Sequence, residues 1–126
     1  NKKTYQAAGT SVVGPYSQAV EVDGWVYLSG MVPMDFEAGK LVEGDITVQT
    51  TKVFQNIRLV LDAVGLGWDS IVKTTVFLTD MAQFAEMNAI YAEFFTSDHP
   101  ARSAIQVAAL PKGGIVEVEA IAVLPS

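Results

Sequence analysis

Apolar positions in this chain alternate in some stretches and recur at helical spacing in others, and the switch between those periods divides it into elements. Gln18 to Val22 and Trp25 to Ser29 are short apolar-rich runs that flank Asp23-Gly24, a dipeptide suited to a type I′ turn because both central residues take positive φ. A hairpin is predicted there, followed by a loop through Gly30, Pro33, Gly39 and Gly44. From Asp45 to Val64, the residues Val53, Ile57, Val60, Leu61 and Val64 form a helical stripe, Lys52, Asn56 and Arg58 turn away from it, and Gly65 stands ready to end the helix. Ile71 to Thr79 is rich in β-branched residues and reads as a strand. Asp80 is placed to cap a second helix, with Gln83 three residues on and Phe84, Met87, Tyr91 and Phe94 as its buried stripe. Ser103 to Ala109 and Ile115 to Leu124 are predicted to pair as a second hairpin across Pro111-Lys112-Gly113-Gly114.

The resulting order, β-β-α-β-α-β-β, predicts an α+β fold: a single-layer mixed β-sheet with two helices on one face. On the last strand Val116, Val118, Ala120 and Ala122 point one way, and Ile115, Glu117, Glu119, Ile121 and Val123 the other. Both faces therefore carry apolar residues, and oligomerisation is the simplest way to cover the one the helices leave open. No repeat, low-complexity tract or linker interrupts the chain, so residues 1–126 read as one domain.

Composition sharpens this picture. Half of the residues are hydrophobic and the mean hydropathy is +0.30, more apolar than a monomer of this size requires, again in favour of a subunit interface. Eight Lys and Arg against 14 Asp and Glu give a net charge of −6, which opposes phosphate backbones and disfavours nucleic acid as a partner. The chain has no cysteine, so thiolate metal sites and a Cys nucleophile are excluded, and a reducing compartment fits. No apolar run has the length of a membrane span, and no basic segment leads into an apolar one at the start. A membrane partner is thus not expected; a cytoplasmic location is, or the mitochondrial matrix where a transit segment has been removed.

The residue that most invites a chemical reading is Arg102, in Pro100-Ala101-Arg102-Ser103-Ala104-Ile105. A guanidinium among small and apolar residues reads as buried, and a buried Arg is expected to bind a carboxylate. Glu117 is its candidate counterpart, able to orient a water or move a proton; a structural ion pair and a solvated carboxylate are the competing readings. In the predicted hairpin Glu117 lies opposite Ala108 and Arg102 opposite Val123, on the order of 20 Å apart, so the two would meet only between subunits. Tyr16, fixed by Gly14 and Pro15, reads either as a pocket wall or as a ring packed on the core. Ser29-Gly30 permits close ligand approach or simply ends a strand, and Asn88 is the polar exception on the second helix. His99, the only histidine, reads as a solvated loop residue and cannot anchor a zinc site alone; Asp98, His99 and Ser103 are too close in sequence to form a triad. No phosphate-binding loop or dinucleotide fingerprint is present.

Gly14-Pro15-Tyr16-Ser17-Gln18-Ala19, Ser29-Gly30, Val72-Lys73-Thr74-Thr75-Val76-Phe77-Leu78, Pro100-Ala101-Arg102-Ser103 and Val116-Glu117-Val118-Glu119-Ala120-Ile121-Ala122 together resemble the RidA-type proteins of the Rid (YjgF) superfamily, from about Tyr5 to Val123. The resemblance implies a chorismate-mutase-like homotrimer with clefts between neighbouring subunits. It implies hydrolysis of reactive enamines and imines, 2-aminoacrylate and 2-aminocrotonate, released by pyridoxal-phosphate enzymes, to 2-keto acids and ammonia with no cofactor and no metal. Carried over, Arg102 would bind the substrate carboxylate with the Ala104 amide, and Glu117 would position water. Tyr16, Ser29 and Gly30 would line or contact the ligand, and Asn88 would support the pocket. Many relatives have Cys where this chain has Ala104, Gln where it has Met31 and a basic residue where it has Ala109. A non-catalytic small-carboxylate-binding or regulatory trimer, of the translation-inhibitor or chaperone type, is the alternative, and retention of Glu117 favours the enzyme.

Overall fold

The computed structural model describes residues 1–125. Eight strands and two helices follow one another along the chain: β1 (Lys3–Tyr5), β2 (Ala19–Val22), β3 (Trp25–Met31), β4 (Met34–Asp35), β5 (Lys40–Leu41), α1 (Ile46–Val64), β6 (Ile71–Leu78), α2 (Phe84–Phe94), β7 (Ala101–Gln106) and β8 (Val116–Val123). Six of the strands form one sheet in the order β1-β2-β3-β8-β6-β7, and β4 with β5 makes a separate two-stranded ribbon.

Local chemistry explains the elements. β2 and β3 pair antiparallel with Val22 opposite Trp25, and Asp23 and Gly24 between them have φ of 52° and 83°, both positive as the type I′ turn requires. Asp45 caps α1 by accepting from the Val48 amide at 3.0 Å, and Gly65, with φ of 89°, ends it through a bond to the Leu61 carbonyl. Asp80 accepts from the Ala82 amide, but a short 3-10 turn, Met81–Gln83, intervenes before α2 begins.

The core lies between the helices and one face of the sheet. Val116, Val118, Ala120 and Ala122 of β8 are buried there, as the alternation predicts. Phe54 of α1 stacks on Phe94 at 5.0 Å and meets the Tyr91 ring edge-on at 5.6 Å, tying the two helices together. Asn56 departs from expectation. It is buried rather than turned away, and its amide donates to the carbonyls of Val32 and Met34 at 3.2 and 2.9 Å, pinning to α1 the segment after β3. The opposite face of the sheet is open and carries exposed Trp25 and Tyr27 along with Ile105.

The strand pattern departs from expectation in two further ways. The predicted order omits β1, β4 and β5, which are too short for a periodicity to register. More consequentially, the last two long strands do not form a hairpin. β7 runs parallel to β6 at the sheet edge, Thr74 beside Arg102, after α2 crosses over, whereas β8 inserts antiparallel between β3 and β6 with Phe77 beside Glu117. Burial explains the outcome: alternate β8 residues are buried, so it belongs in the centre, while every residue of β7 is exposed or half-exposed and belongs at an edge.

Candidate functional site

A cleft of about 420 Å³ opens where the loop before β2, the end of β3 and the start of β8 meet. Tyr16, Ser29, Gly30 and Glu117 line it, so one cleft gathers four of the predicted site residues. Met31, Met34, Phe36 and Lys112 complete much of its wall. Of these, Met31 is marked in the sequence only as a departure from the Gln of many relatives, and Met34, Phe36 and Lys112 are not singled out at all. Their signal is weak, because Met34 and Phe36 lie in what reads as loop and Lys112 in what reads as a turn; the place of the loop residues in the wall depends on Asn56 holding the chain at Val32 and Met34.

Backbone anchoring sets the rim. The Ser29 amide donates to the Gln18 carbonyl at 2.9 Å and its hydroxyl to the Ser17 carbonyl at 2.6 Å, fastening β3 to the segment that carries Tyr16. The Ser29 proton is therefore committed within the protein, and a ligand would find there an acceptor oxygen. Tyr16 is exposed, with its ring against Gly14, whose φ of 133° turns the loop. Glu117 points to the sheet face away from the helices, alternating with buried Val116 and Val118, and its carboxylate lies over Gly30. Burial raises its carboxyl above the ordinary glutamate value, and the nearby Glu119 charge pushes the same way.

Arg102, Asn88 and Ala104 lie elsewhere. Arg102 is exposed rather than buried: its strand is an edge, and its guanidinium sits 4.7 Å from the Tyr91 ring centre and 5.3 Å from that of Phe84. One arm donates to Asn88 Oδ1 at 2.6 Å. Beneath it the Tyr91 hydroxyl pairs with Thr74 Oγ1 at 2.7 Å, and burial pushes the Tyr91 phenol up against the opposing influence of that bond and of Arg102. Asn88 and two rings thus orient a fork whose outer edge faces solvent. Ala104 follows on the same strand face, half-buried against the core.

Register places Arg102 in the Thr74 row and Glu117 in the Phe77 row, two strands and three residues apart, on the order of 14 Å, on opposite faces of the sheet. The 20 Å separation expected from a hairpin is thereby corrected, yet its consequence stands: within one chain the two do not meet. Among the described residues, no three His, Asp or Glu side chains gather as a metal site, and no helix is long and apolar enough to cross a membrane.

A half-buried carboxyl in a cleft of this size, walled by methionine and aromatic side chains, has the form of a small-molecule site on an α+β sheet. Comparison with known proteins gives the lineage. The profile of the endoribonuclease L-PSP family matches residues 7–124. The chain belongs to that family, also called Rid or YjgF. It is 47% identical over 117 residues, 93% of this chain and 85% of the other, to the 2-iminobutanoate/2-iminopropanoate deaminase of Bos taurus. The crystal structure of RidA from an Antarctic Psychrobacter superposes with a TM-score of 0.92 at 42% identity, covering 97% of this chain and 99% of that one. That of E. coli TdcF with bound serine does so at 0.91 and 35%, covering 98% and 99%.

Proposed function

We propose that residues 1–126 form one Rid-type domain that assembles as a homotrimer and hydrolyses 2-imino acids, including those formed from 2-aminoacrylate and 2-aminocrotonate. The observation that carries this reading is the half-buried Glu117 in a cleft whose lining includes Lys112 but no guanidinium fork, while an oriented, solvent-facing Arg102 stands on the edge strand at the opposite face of the sheet. A second copy would supply what each cleft lacks, and the open apolar face of the sheet is where it would sit. The relatives named as deaminases support the reaction class.

In this mechanism Arg102 from one chain binds the substrate carboxylate bidentately, with the Ala104 amide as a further donor. The enamine tautomerises to the imine, gaining a proton at carbon and losing one from nitrogen to solvent. Glu117 of the neighbouring chain accepts a proton from water as the water oxygen bonds to the imine carbon, then returns it to nitrogen. The resulting carbinolamine then collapses: its hydroxyl gives up its proton, which Glu117 carries to the departing nitrogen, the C–N bond breaks, and ammonia leaves with the former water oxygen kept as the keto group of the 2-keto acid. Burial raises its affinity for protons above that of an ordinary glutamate, which suits Glu117 to accept and return one. The reactive substrate requires mainly orientation and a proton path, which these side chains supply. RNA is the less favoured substrate: the net charge is −6, and the single histidine does not line the cleft.

The test is release of 2-keto acid and ammonia from freshly generated 2-aminoacrylate. Arg102→Ala should abolish binding of 2-ketobutyrate, whereas Glu117→Gln should keep that binding and lose turnover. Trimers mixed from the two inactive variants should regain activity, because some clefts receive both native residues. Mixed trimers of verified composition that stay inactive would sink the two-chain site. A wild-type protein that binds 2-ketobutyrate but releases no ammonia would establish the non-catalytic carboxylate-binding reading instead.

A further inference from the structure

Gly30 stands at a place where the backbone does not demand glycine. Its φ is not positive, unlike those of Gly14, Gly24 and Gly65, so a side chain would meet no strain from conformation. What it would meet is Glu117. A β-carbon built on Gly30 collides with Glu117 Oε2 and lies 2.8 Å from Cδ and 3.2 Å from Cγ, closer than such atoms normally approach. The strand pairing is also irregular at this point: Leu28 pairs with Ala120 and Met31 with Val118, so the register slips across Ser29 and Gly30. The Glu117 side chain folds back over this slipped backbone and is half-buried there.

We propose that Gly30 is a positioning residue, whose missing side chain forms the seat that fixes the Glu117 carboxylate in the cleft. This rests on the reading of Glu117 as the proton acceptor, and it differs from close approach of a ligand to the Gly30 backbone or from plain strand termination. The seat sets two things at once: where the carboxylate oxygens stand, and how much water reaches them. An added methyl would be relieved most cheaply by swinging the flexible Glu117 chain out, leaving β3 in place.

The experiment compares Gly30→Ala, Glu117→Asp and the double variant in the deaminase assay. Gly30→Ala should lower kcat by about 100-fold, the usual scale for displacing a catalytic group by an ångström. Its affinity for 2-ketobutyrate should change by less than about threefold, because the displaced carboxylate acts in the transition state and not in ground-state binding. The acid limb of its residual activity should move to lower pH as the carboxyl becomes solvated; Tyr16, Lys112 and Glu119, at or beside the cleft, and the Arg102 that the neighbouring chain would bring to it, are untouched by the substitution. Because Asp is one methylene shorter, Glu117→Asp should cost less on the Gly30→Ala background than alone.

Unchanged kcat and pH profile in Gly30→Ala would overturn the proposal. So would parallel loss of kcat and 2-ketobutyrate binding with no pH shift, the signature of a direct ligand contact at Gly30. If Gly30→Ala does not fold, removing the collision partner in Gly30→Ala with Glu117→Gly should restore folding, and failure to do so refutes the seat. Carbon NMR titration of the Glu117 carboxyl in wild type and Gly30→Ala reads the seat without turnover: a lowered value supports it and an unchanged one overturns it. A fully active Glu117→Gln would instead remove the mechanistic reading, leaving the NMR result to stand by itself.

Discussion

The hydroxyl pair beneath Arg102 offers a separation of stability from binding. Thr74 Oγ1 and the Tyr91 hydroxyl lie 2.7 Å apart, and both residues are buried, at 1% and 5% exposure. Tyr91→Phe removes one hydroxyl and strands the other where water does not reach, a loss of about 1–3 kcal/mol. Thr74→Val does the same from the opposite side. Removing both leaves no orphan, so the double variant should cost less than either single one. With an unfolding entropy of about 2.1 cal/mol/K per residue over 126 residues, 1 kcal/mol corresponds to about 4 °C in Tm. Each single variant should therefore melt about 4–12 °C lower than wild type in calorimetry at a fixed protein concentration. In Tyr91→Phe an aromatic ring would remain under the guanidinium, which sits 4.7 Å from the ring centre, so affinity for 2-ketobutyrate should be retained. Costs that simply add in the double variant would refute the pairing, and a Tyr91→Phe protein that folds but no longer binds 2-ketobutyrate would show that the hydroxyl, not the ring, orients Arg102.

Glu117 should also leave a mark on stability. Its carboxyl is raised above the ordinary value of 4.5, so the fold favours the protonated form, and stability is lost as pH rises from there through the raised value. Glu117→Gln should consequently melt higher than wild type at pH 7–8, with the gain vanishing below about pH 4; a difference independent of pH would rule this out. Ala104→Cys should keep deaminase activity within a small factor if only the backbone amide serves the substrate, and a large gain would assign the thiol a chemical role.

How far the sequence reaches depends on the range over which each feature is decided. The turn at Asp23-Gly24 and the boundaries of α1 at Asp45 and Gly65 are legible because a few adjacent residues determine them. The pairing of β7 and β8 is not. Pro111-Lys112-Gly113-Gly114 looks like a hairpin turn, but strand order answers to burial across the whole sheet, and the polar run Arg102-Ser103 against the doubly apolar β8 is the available signal. Arg102 stands out in the sequence but reads as buried, since neighbouring small residues look alike in a core and along an edge. Tyr16, Ser29, Gly30 and Glu117 can be found one at a time; that they share a cleft, with Phe36 and Lys112 beside them, comes from tertiary closure, in part through Asn56.

The position of β8 has a consequence for how the molecule is made. It is the last of the described strands, yet it fills the gap between β3 and β6, which would otherwise be parallel neighbours with nothing between them. During synthesis from the N-terminus, the first hairpin and the β6-α2-β7 unit emerge with raw edges that cannot join until β8 arrives. Closure then depends on contacts between residues distant in the chain, Tyr27 with Ile121 among them, which is the slow step in folding by topology. The cleft's acid arrives on that same strand, so no partly made chain presents Glu117 in its finished setting.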